Sequence, residues 1–308
     1  DGKVIAFDPT TGTRRWEHAS QEADGLLETG AHWYLKSAFP GIYGLAAGRF
    51  AQDKENIFVG SASTVEILNS RGQLLRRFKI LWGPVQHFEL FKQPGGSVLL
   101  LSQLYPGSDY LTRVDDKFNT RIGYNLPPVG CLYFANWMGI NRTGITALDL
   151  DKNGQIKIVS GLNGVWNRII VWDAAGKPLR EVSFGIGDSL KVPPYGKERA
   201  EVRSLYDVLV IEGAQRNTIA AATAEALILF DNQLKKLWSR LLPSEPVITA
   251  AGNGYIVTGL RNGQLCFYNM QGVLKNIFSN TNPWTAMQVK DDTLFAADSE
   301  GNIYQFKL

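Results

Sequence analysis

The 308-residue sequence predicts an all-β fold, a seven-bladed β-propeller with four-stranded antiparallel blades. Two observations support this. One hairpin pattern recurs along the whole chain, in which an alternating apolar run is followed by Asp or Asn, a short turn and a second apolar run. Short strands rich in Ala and Gly precede most copies. The copies recur every 38 to 61 residues, and about 40 residues is the spacing expected for one propeller blade.

The hairpin copies are clearest as VIAFDPTTGTRRW from Val4, VEILNSRGQLLRRF from Val65 and LCFYNMQGVLKNIF from Leu265. Asp or Asn starts such a turn by accepting hydrogen bonds from its own backbone, and Gly supplies the positive φ. These turn residues are Asp8, Asn69, Asp115, Asp173, Asp231 and Asn269, with Lys307 at the equivalent place of a truncated last copy. Large side chains are expected to close the second strand of four hairpins: Trp16, Phe78, Trp238 and Phe278.

The repeat count predicts a single propeller domain over residues 1–308, with partial first and last blades. The first copy lacks its inner strands and the last lacks its outermost strand. A six-bladed ring, in which the two termini combine into one composite closing blade, is the alternative. Because the chain opens inside a strand-like run, we expect it to be part of a longer chain.

Bulk composition excludes several function classes. The net charge is only +3, so nothing in it calls for nucleic acid. No apolar run reaches the roughly 18 residues of a membrane span, so we do not expect a membrane-spanning protein. The two cysteines, Cys131 and Cys266, lie far apart and could pair or remain separate buried thiols.

Two families resemble different copies of the repeat. The segment DGKVIAFDPTTGTRRW resembles the repeat of PQQ-like, quinoprotein-type propellers, a class that includes outer-membrane assembly lipoproteins. The segments GLAAGRFAQDKENIFVGS and ITALDLDKNGQIKIVSG resemble the FG-GAP repeats of integrin-type propellers and of some secreted polysaccharide lyases. The resemblance implies the propeller scaffold, which hosts many functions. A quinone site needs ligand carboxylates and a cofactor cage, and the sequence offers no convincing set, so we expect no cofactor.

A calcium loop is the one metal candidate. Asp149, Asp151 and Asn153 alternate along the chain as oxygen donors do in calcium loops. In FG-GAP repeats a further acid closes the loop, whereas Lys157 stands near that place here. Because a lysine opposes a bound cation, we expect a polar hairpin turn and no metal.

Three long connections should gather on one face, since connections from an outer strand to the next inner strand share one end of the blades. They run over residues 20–41, 127–144 and 186–200, and we call the surface they form the loop-rich face. Long loops in compact repeats often carry function. Together with shorter connections on the same side they supply the expected ligand-binding residues: His32, Trp33, Tyr34, Lys36, Trp82, Tyr133, Asn136, Trp137, Arg142, Asp188, Lys191, Tyr195, Lys197, Arg199 and Trp284.

Aromatic rings stack on sugars, and Arg or Lys binds carboxylate or sulfate. We therefore expect a non-catalytic, extracytoplasmic module (secreted, periplasmic or cell-surface) that binds a glycan or protein partner through the loop-rich face. Each of these residues could instead pack its own loop onto the blades.

The alternative is a polysaccharide lyase, or another carbohydrate-active enzyme, acting on an acidic polysaccharide. It would use a His or Tyr as base and an Arg to neutralise the substrate carboxylate. The candidates are His32, His87, Tyr34, Tyr195 and Arg142. With three histidines in the chain, a Ser-His-Asp or multi-histidine metal site is hard to assemble, so a non-enzyme is favoured.

Overall fold

The computed structural model describes ten stretches of the chain: residues 2–8, 10–20, 41–61, 64–79, 85–93, 96–103, 111–122, 142–162, 168–184 and 205–308. These form a β-propeller arrangement of antiparallel four-stranded blades. They divide into two compact units, Asp1–Ala147 with Ala175–Lys177, and Leu148–Ala174 with Pro178–Leu308. The expectation of one domain over the whole chain stays a prediction.

The strands of the first part of the chain are β1 (Lys3–Phe7), β2 (Arg14–Ala19), β3 (Ile42–Phe50), β4 (Lys54–Ser61), β5 (Thr64–Asn69), β6 (Leu74–Lys79), β7 (Val85–Gln93), β8 (Gly96–Gln103), β9 (Leu111–Asp115), β10 (Thr120–Ile122) and β11 (Arg142–Leu148). A single 3-10 turn, Ala51–Asp53, joins β3 to β4 among these residues.

The strands of the second part are β12 (Lys157–Leu162), β13 (Arg168–Asp173), β14 (Pro178–Ser183), β15 (Leu205–Ile211), β16 (Thr218–Thr223), β17 (Ala226–Asp231), β18 (Lys236–Leu241), β19 (Pro246–Gly252), β20 (Tyr255–Leu260), β21 (Gln264–Asn269), β22 (Leu274–Ser279), β23 (Trp284–Lys290), β24 (Thr293–Asp298) and β25 (Ile303–Lys307). No helix among the described residues is long and apolar enough to cross a membrane.

The sheets follow chain order. Among the described residues, five sheets have four strands each: β3–β6, β7–β10, β11–β14, β15–β18 and β19–β22. Two incomplete sheets stand at the chain ends, β1–β2 with two strands and β23–β25 with three. The prediction of seven blades is not confirmed. The alternative of about six blades fits the five four-stranded and two incomplete sheets.

Burial is greatest in the second and third strands of a sheet and lowest in the fourth, which explains the sequence pattern. Strand β16 reads TIAAAT and is buried throughout, because small side chains let neighbouring sheets approach closely. Apolar residues of β15–β17 and β19–β21 interleave into shared cores with the sheets beside them. Strand β18, the outermost of its sheet, is mostly exposed. Buried Cys266 belongs to one of these cores, and burial raises the pKa of its thiol.

The turn residues do what the sequence predicted. The Oδ1 atom of Asn269 accepts hydrogen bonds from the backbone N–H groups of Gln271 at 3.1 Å and Val273 at 2.8 Å. Asn69, Asp115 and Asp231 accept the same pair of N–H groups in their own hairpins. This local pattern fixes the register of each outer hairpin from four or five consecutive residues.

The tryptophans that close the hairpins reach further than the sequence predicted, because each docks on the next sheet. Trp238 of β18 donates its indole N–H to the carbonyl of Met270 at 2.9 Å, in the β21–β22 turn. Its ring covers Gly272, where an added Cβ would lie 2.8 Å from the indole. Gly272 also has a φ of +74°, so two constraints require glycine there. The pair Trp238–Gly272 ties the β15–β18 sheet to the β19–β22 sheet.

The same contact recurs at the start of the chain. Trp16 of β2 donates its indole N–H to the carbonyl of Ser70 at 3.0 Å and covers Gly72 of the β5–β6 turn. In one other outer strand an arginine takes the equivalent place, since the guanidinium of Arg76 lies over the ring of Phe118 in the β9–β10 turn, 5.6 Å from its centroid. Arg180 of β14 pairs at 2.7 Å with Asp151 of the β11–β12 connection in its own sheet, and Asp151 also accepts from Asn232 of the β17–β18 turn. We call this recurring contact between an outer strand and a neighbouring turn the outer-strand lock.

A buried carboxylate adds to the lock at the first hairpin. Glu66 of β5 is fully buried and accepts from His18 Nε2 at 2.9 Å and from Arg77 Nη2 at 2.6 Å. His18, expected to be structural, therefore joins β2 to the β3–β6 sheet. Removing one partner from such a buried pair leaves an uncompensated charge, which is costly.

Trp238→Ala should lower the free energy of unfolding by about 2 to 4 kcal/mol, because the ring is half-buried and its removal leaves a cavity beside Gly272. Trp238→Phe should lose only about 1 kcal/mol, through the indole hydrogen bond. Lys236→Ala on the same exposed strand is the matched control and should stay within about 0.5 kcal/mol. Urea denaturation measures all three, and a loss below about 1 kcal/mol for Trp238→Ala would contradict the lock.

Candidate functional site

Most of the expected ligand-binding residues lie outside the described residues. These are His32, Trp33, Tyr34, Lys36, Trp82, Tyr133, Asn136, Trp137, Asp188, Lys191, Tyr195, Lys197 and Arg199. Arg142 begins β11, and its side chain is also outside the described set. Trp284 of the expected binding set and His87 of the alternative catalytic set can be placed with their side chains.

Trp284 is part of the core. Its side chain is 3% exposed, its indole N–H donates to the carbonyl of Gly263 at 2.9 Å, and its ring meets Tyr304 edge-on at 5.3 Å. A ring enclosed in this way offers no open face to a ligand. The binding role expected for Trp284 is therefore corrected: it packs the β23–β25 sheet against Phe278 of the β19–β22 sheet.

His87 lies on β7, the first strand of its sheet, opposite Ser102 of β8, and is half-buried. Glu89 follows two residues later, so both side chains leave the same face of the strand. The carboxylate of Glu89 accepts the backbone N–H of Ala147 in β11 at 2.7 Å. Burial raises the pKa of Glu89 to about 7, and the bond from Ala147 opposes this only in part.

Asp207 repeats this arrangement in the second unit. It lies on β15, again the first strand of a sheet, and accepts the backbone N–H of Thr249 in β19 at 2.7 Å. Burial raises its pKa to about 7, against the lowering effect of the Thr249 and Val208 N–H groups. In both units, then, a carboxyl group on one first strand bonds the backbone of the next first strand.

Sequence reasoning missed both acids, although a signal was present. Glu89 stands between Phe88 and Leu90, and Asp207 stands between Tyr206 and Val208. A single acid inside an apolar inner strand has to find a buried partner or become protonated. Perturbed carboxyls can mark a catalytic site. Here each one already bonds a backbone amide of the neighbouring strand, which is a structural role.

A tyrosine, a glutamate and an arginine meet at the end of the β15–β18 and β19–β22 sheets that carries the connections between sheets. The hydroxyl of Tyr206 donates to Glu245, and Arg261 Nε lies 2.7 Å from the other oxygen of Glu245. The lyase alternative needs an arginine available to neutralise a substrate carboxylate. Glu245 pairs with the Nε of Arg261, whose side chain is 65% exposed, so the cluster is a surface ion pair that joins the two sheets.

The acidic side chains of the candidate calcium loop accept hydrogen bonds from groups of the protein. Asp149 accepts the N–H groups of Asn153 at 2.9 Å and Gly154 at 2.7 Å, which lowers the pKa of its carboxyl. Asp151 accepts from Arg180 at 2.7 Å and from the amide of Asn232 at 3.0 Å. Its carboxylate thus belongs to the outer-strand lock between β14 and the β17–β18 turn.

The solved structures that resemble this chain share its fold. The structure of BamB from Moraxella catarrhalis aligns with all of this chain over 91% of its own length, at 14% identity and a TM-score of 0.56. BBS1N, crystallised in complex with ARL6DN, covers 87% of this chain with 79% of its own, at 13% identity and a TM-score of 0.65. A chain of the Mitotic Checkpoint Complex covers all of it with 82% of its own, at 11% identity and a TM-score of 0.68. No family model and no curated protein matches the sequence.

Asp207→Asn should remove a pH dependence of stability. The carboxyl of Asp207 has a pKa of about 7 in the folded protein and about 3.9 in the unfolded chain, so folding favours its protonated form. Its contribution to stability is complete below about pH 4 and is lost as the pH rises to about 7. The variant keeps an acceptor for Thr249 and should be more stable than wild type at pH 8, on the order of 2 kcal/mol, and nearly equal at pH 4. Exposed Glu300→Gln is the control, and parallel curves for all three proteins would contradict the raised pKa.

A chelator should leave the melting temperature unchanged, because Asp149 and Asp151 already have protein donors. Asp151→Ala should still cost about 1 to 3 kcal/mol, since it strands Arg180 without its carboxylate. Differential scanning calorimetry with and without EDTA measures both effects. A drop of several degrees on adding EDTA that Asp151→Ala abolishes would show a bound cation instead.

Proposed function

We propose that this chain is a non-catalytic, extracytoplasmic binding module of a longer protein, which holds a glycan or protein partner through its loop-rich face. The repeats resemble those of PQQ-like and FG-GAP propellers, and that likeness to secreted families supports the extracytoplasmic assignment. The β-propeller fold is consistent with a binding module.

A protein is the better supported partner. The observation that carries this choice is the propeller fold, which similar structures use to hold protein partners. On the described outer strands Leu75, Leu179, Leu241 and Ile277 are exposed singly on different sheets, which is common on folded surfaces and marks no interface by itself. Of the similar structures, BBS1N was crystallised in complex with ARL6DN and another belongs to the Mitotic Checkpoint Complex, so propellers of this shape do serve as protein-binding modules.

The glycan alternative rests on the aromatic and cationic residues of the loops, and one design separates the two. The protein is applied to a glycan array with uronic-acid and sulfated polymers, and in parallel immobilised to capture proteins of extracellular fractions. Each captured protein is then purified and its affinity measured. Lys235→Ala, in a hairpin turn away from the loops, is the control. A protein partner that binds the wild type and Lys235→Ala, but not Trp137→Ala, supports the proposal. Affinity that no loop substitution changes contradicts use of the loop-rich face.

The loop substitutions should differ in their salt dependence. Trp137→Ala should weaken binding at every ionic strength, because it removes apolar contact area. Arg142→Ala and Lys197→Ala should weaken it mainly at low salt, since exposed charges are screened over about 8 to 10 Å at physiological ionic strength. Isothermal titration at low and high NaCl measures this. All three should leave stability within about 0.5 kcal/mol, and unfolding without a change in the affinity of the folded fraction would mean that these side chains pack the loops.

The lyase alternative has a separate readout. Elimination on a uronic-acid polymer creates a conjugated double bond that absorbs in the ultraviolet. We expect no such product from the purified protein. Product formation that His87→Ala abolishes, at unchanged melting temperature, would establish the enzyme and displace the binding proposal.

A further inference from the structure

A groove between the β15–β18 and β19–β22 sheets opens at the end that carries the β15–β16, β19–β20 and β21–β22 turns. Its volume is about 590 Å³, within the range of 300 to 1,000 Å³ typical of ligand sites. Three chain segments line it at this end: the β15–β16 connection from Glu212 to Arg216, the β19–β20 turn at Asn253, and the β21–β22 turn at Met270. All of them belong to the same compact unit.

The floor and one wall of the groove are apolar. Ile211, Leu229 and Met270 line it, and Leu237 of β18 stands at the side with 39% of its side chain exposed. Leu237 is the extra residue of a β-bulge, because Leu229 pairs with Trp238 and Phe230 with Lys236. The extra residue of a bulge is left out of the strand pairing, and Leu237 lines the groove.

Two opposite charges stand on the rim. Glu212 and Arg216 are both exposed, and among the described residues neither has an ion-pair or side-chain hydrogen-bond partner. Asp151, at the same end of the blades, is by contrast engaged by Arg180. A charge of each sign beside one apolar floor is complementary to a ligand that carries an apolar group flanked by a cation and an anion.

The connection that bears these charges is held in place. Asn217 is fully buried and donates to the carbonyls of Asp149 at 2.9 Å and Leu150 at 3.3 Å, while its Oδ1 accepts the N–H of Gly213 at 3.2 Å. An added Cβ at Gly213 would lie 2.3 Å from the carbonyl oxygen of Arg216. The loop is therefore closed on itself and anchored, which reduces the entropy that binding would cost.

We propose that this groove is a second binding site, which takes an extended segment of a partner protein. The segment inserts one large apolar side chain against Leu229, Leu237 and Met270, and it places a basic residue at Glu212 and an acidic residue at Arg216. A peptide fits better than a compact apolar metabolite, because the two charges lie on an open rim and backbone groups of two hairpin turns face the same space.

The test uses a phage-displayed library of random 12-residue peptides, selected on the wild-type protein. Enriched peptides should share an apolar residue with a basic and an acidic neighbour. Fluorescence anisotropy of a synthesised peptide should show at least a tenfold loss of affinity in Leu237→Asp and in Arg216→Glu. Leu241→Asp on the same strand, at a side chain that is 82% exposed and outside the groove, is the matched control and should bind within twofold of wild type. Lys236→Glu is the charge control.

A charge swap makes the assignment of partners specific. A peptide whose acidic residue is replaced by lysine should bind Arg216→Glu better than wild type. Circular dichroism melts establish that each variant is folded, and Glu212→Gln is a milder second test of the rim. Peptides that bind Leu237→Asp and Leu241→Asp equally, peptides that lose affinity in Trp137→Ala, or enrichment of purely apolar sequences without charge would each overturn the proposal.

Discussion

The structure depends on one repeated contact, in which a side chain of an outermost strand reaches the hairpin turn of another sheet. Trp238 on Gly272 and Trp16 on Gly72 are the apolar form of the contact. Arg180 makes it indirectly, because its partner Asp151, in the β11–β12 connection of the same sheet, also accepts from Asn232 of the β17–β18 turn. A four-stranded sheet can bury its two faces only against neighbouring sheets, so a single sheet is not stable on its own. The outer-strand lock holds the periphery, and shared cores hold the interior.

The inner strands carry a second connection of a different kind. Glu89 and Asp207 each bond a backbone N–H of the next first strand, at the cost of burying a carboxyl group. Their polar groups are thereby satisfied within the fold. The same holds for Asp149, Asp151 and Glu245, all engaged by protein donors. Among the described residues, these buried or half-buried acids therefore serve to join strands and turns.

Local chemistry was predictable from the sequence and long-range chemistry was not. The turns at Asn69, Asp231 and Asn269 follow from a few consecutive residues, so their hairpins and the all-β fold could be predicted. Trp238 was expected to close its own strand, but its partner lies 32 residues away on another sheet. Trp284 was expected on the loop-rich face and is buried, because in a strand one position decides which face a side chain takes. The number of blades depends on the two incomplete sheets, and no local sequence pattern identifies the strands that would complete them.

Amide hydrogen exchange in Trp238→Ala tests the outer-strand lock most directly. The amides of Gln271 and Val273 bond Asn269 in the sheet that Trp238 docks on, and those of Gln233 and Lys235 bond Asp231 in its own sheet. The lock predicts faster exchange at Gln271 and Val273, with Gln233 and Lys235 close to wild type. Equal acceleration at both turns, or acceleration confined to the β17–β18 turn, would show that Trp238 supports only its own blade and would contradict the account.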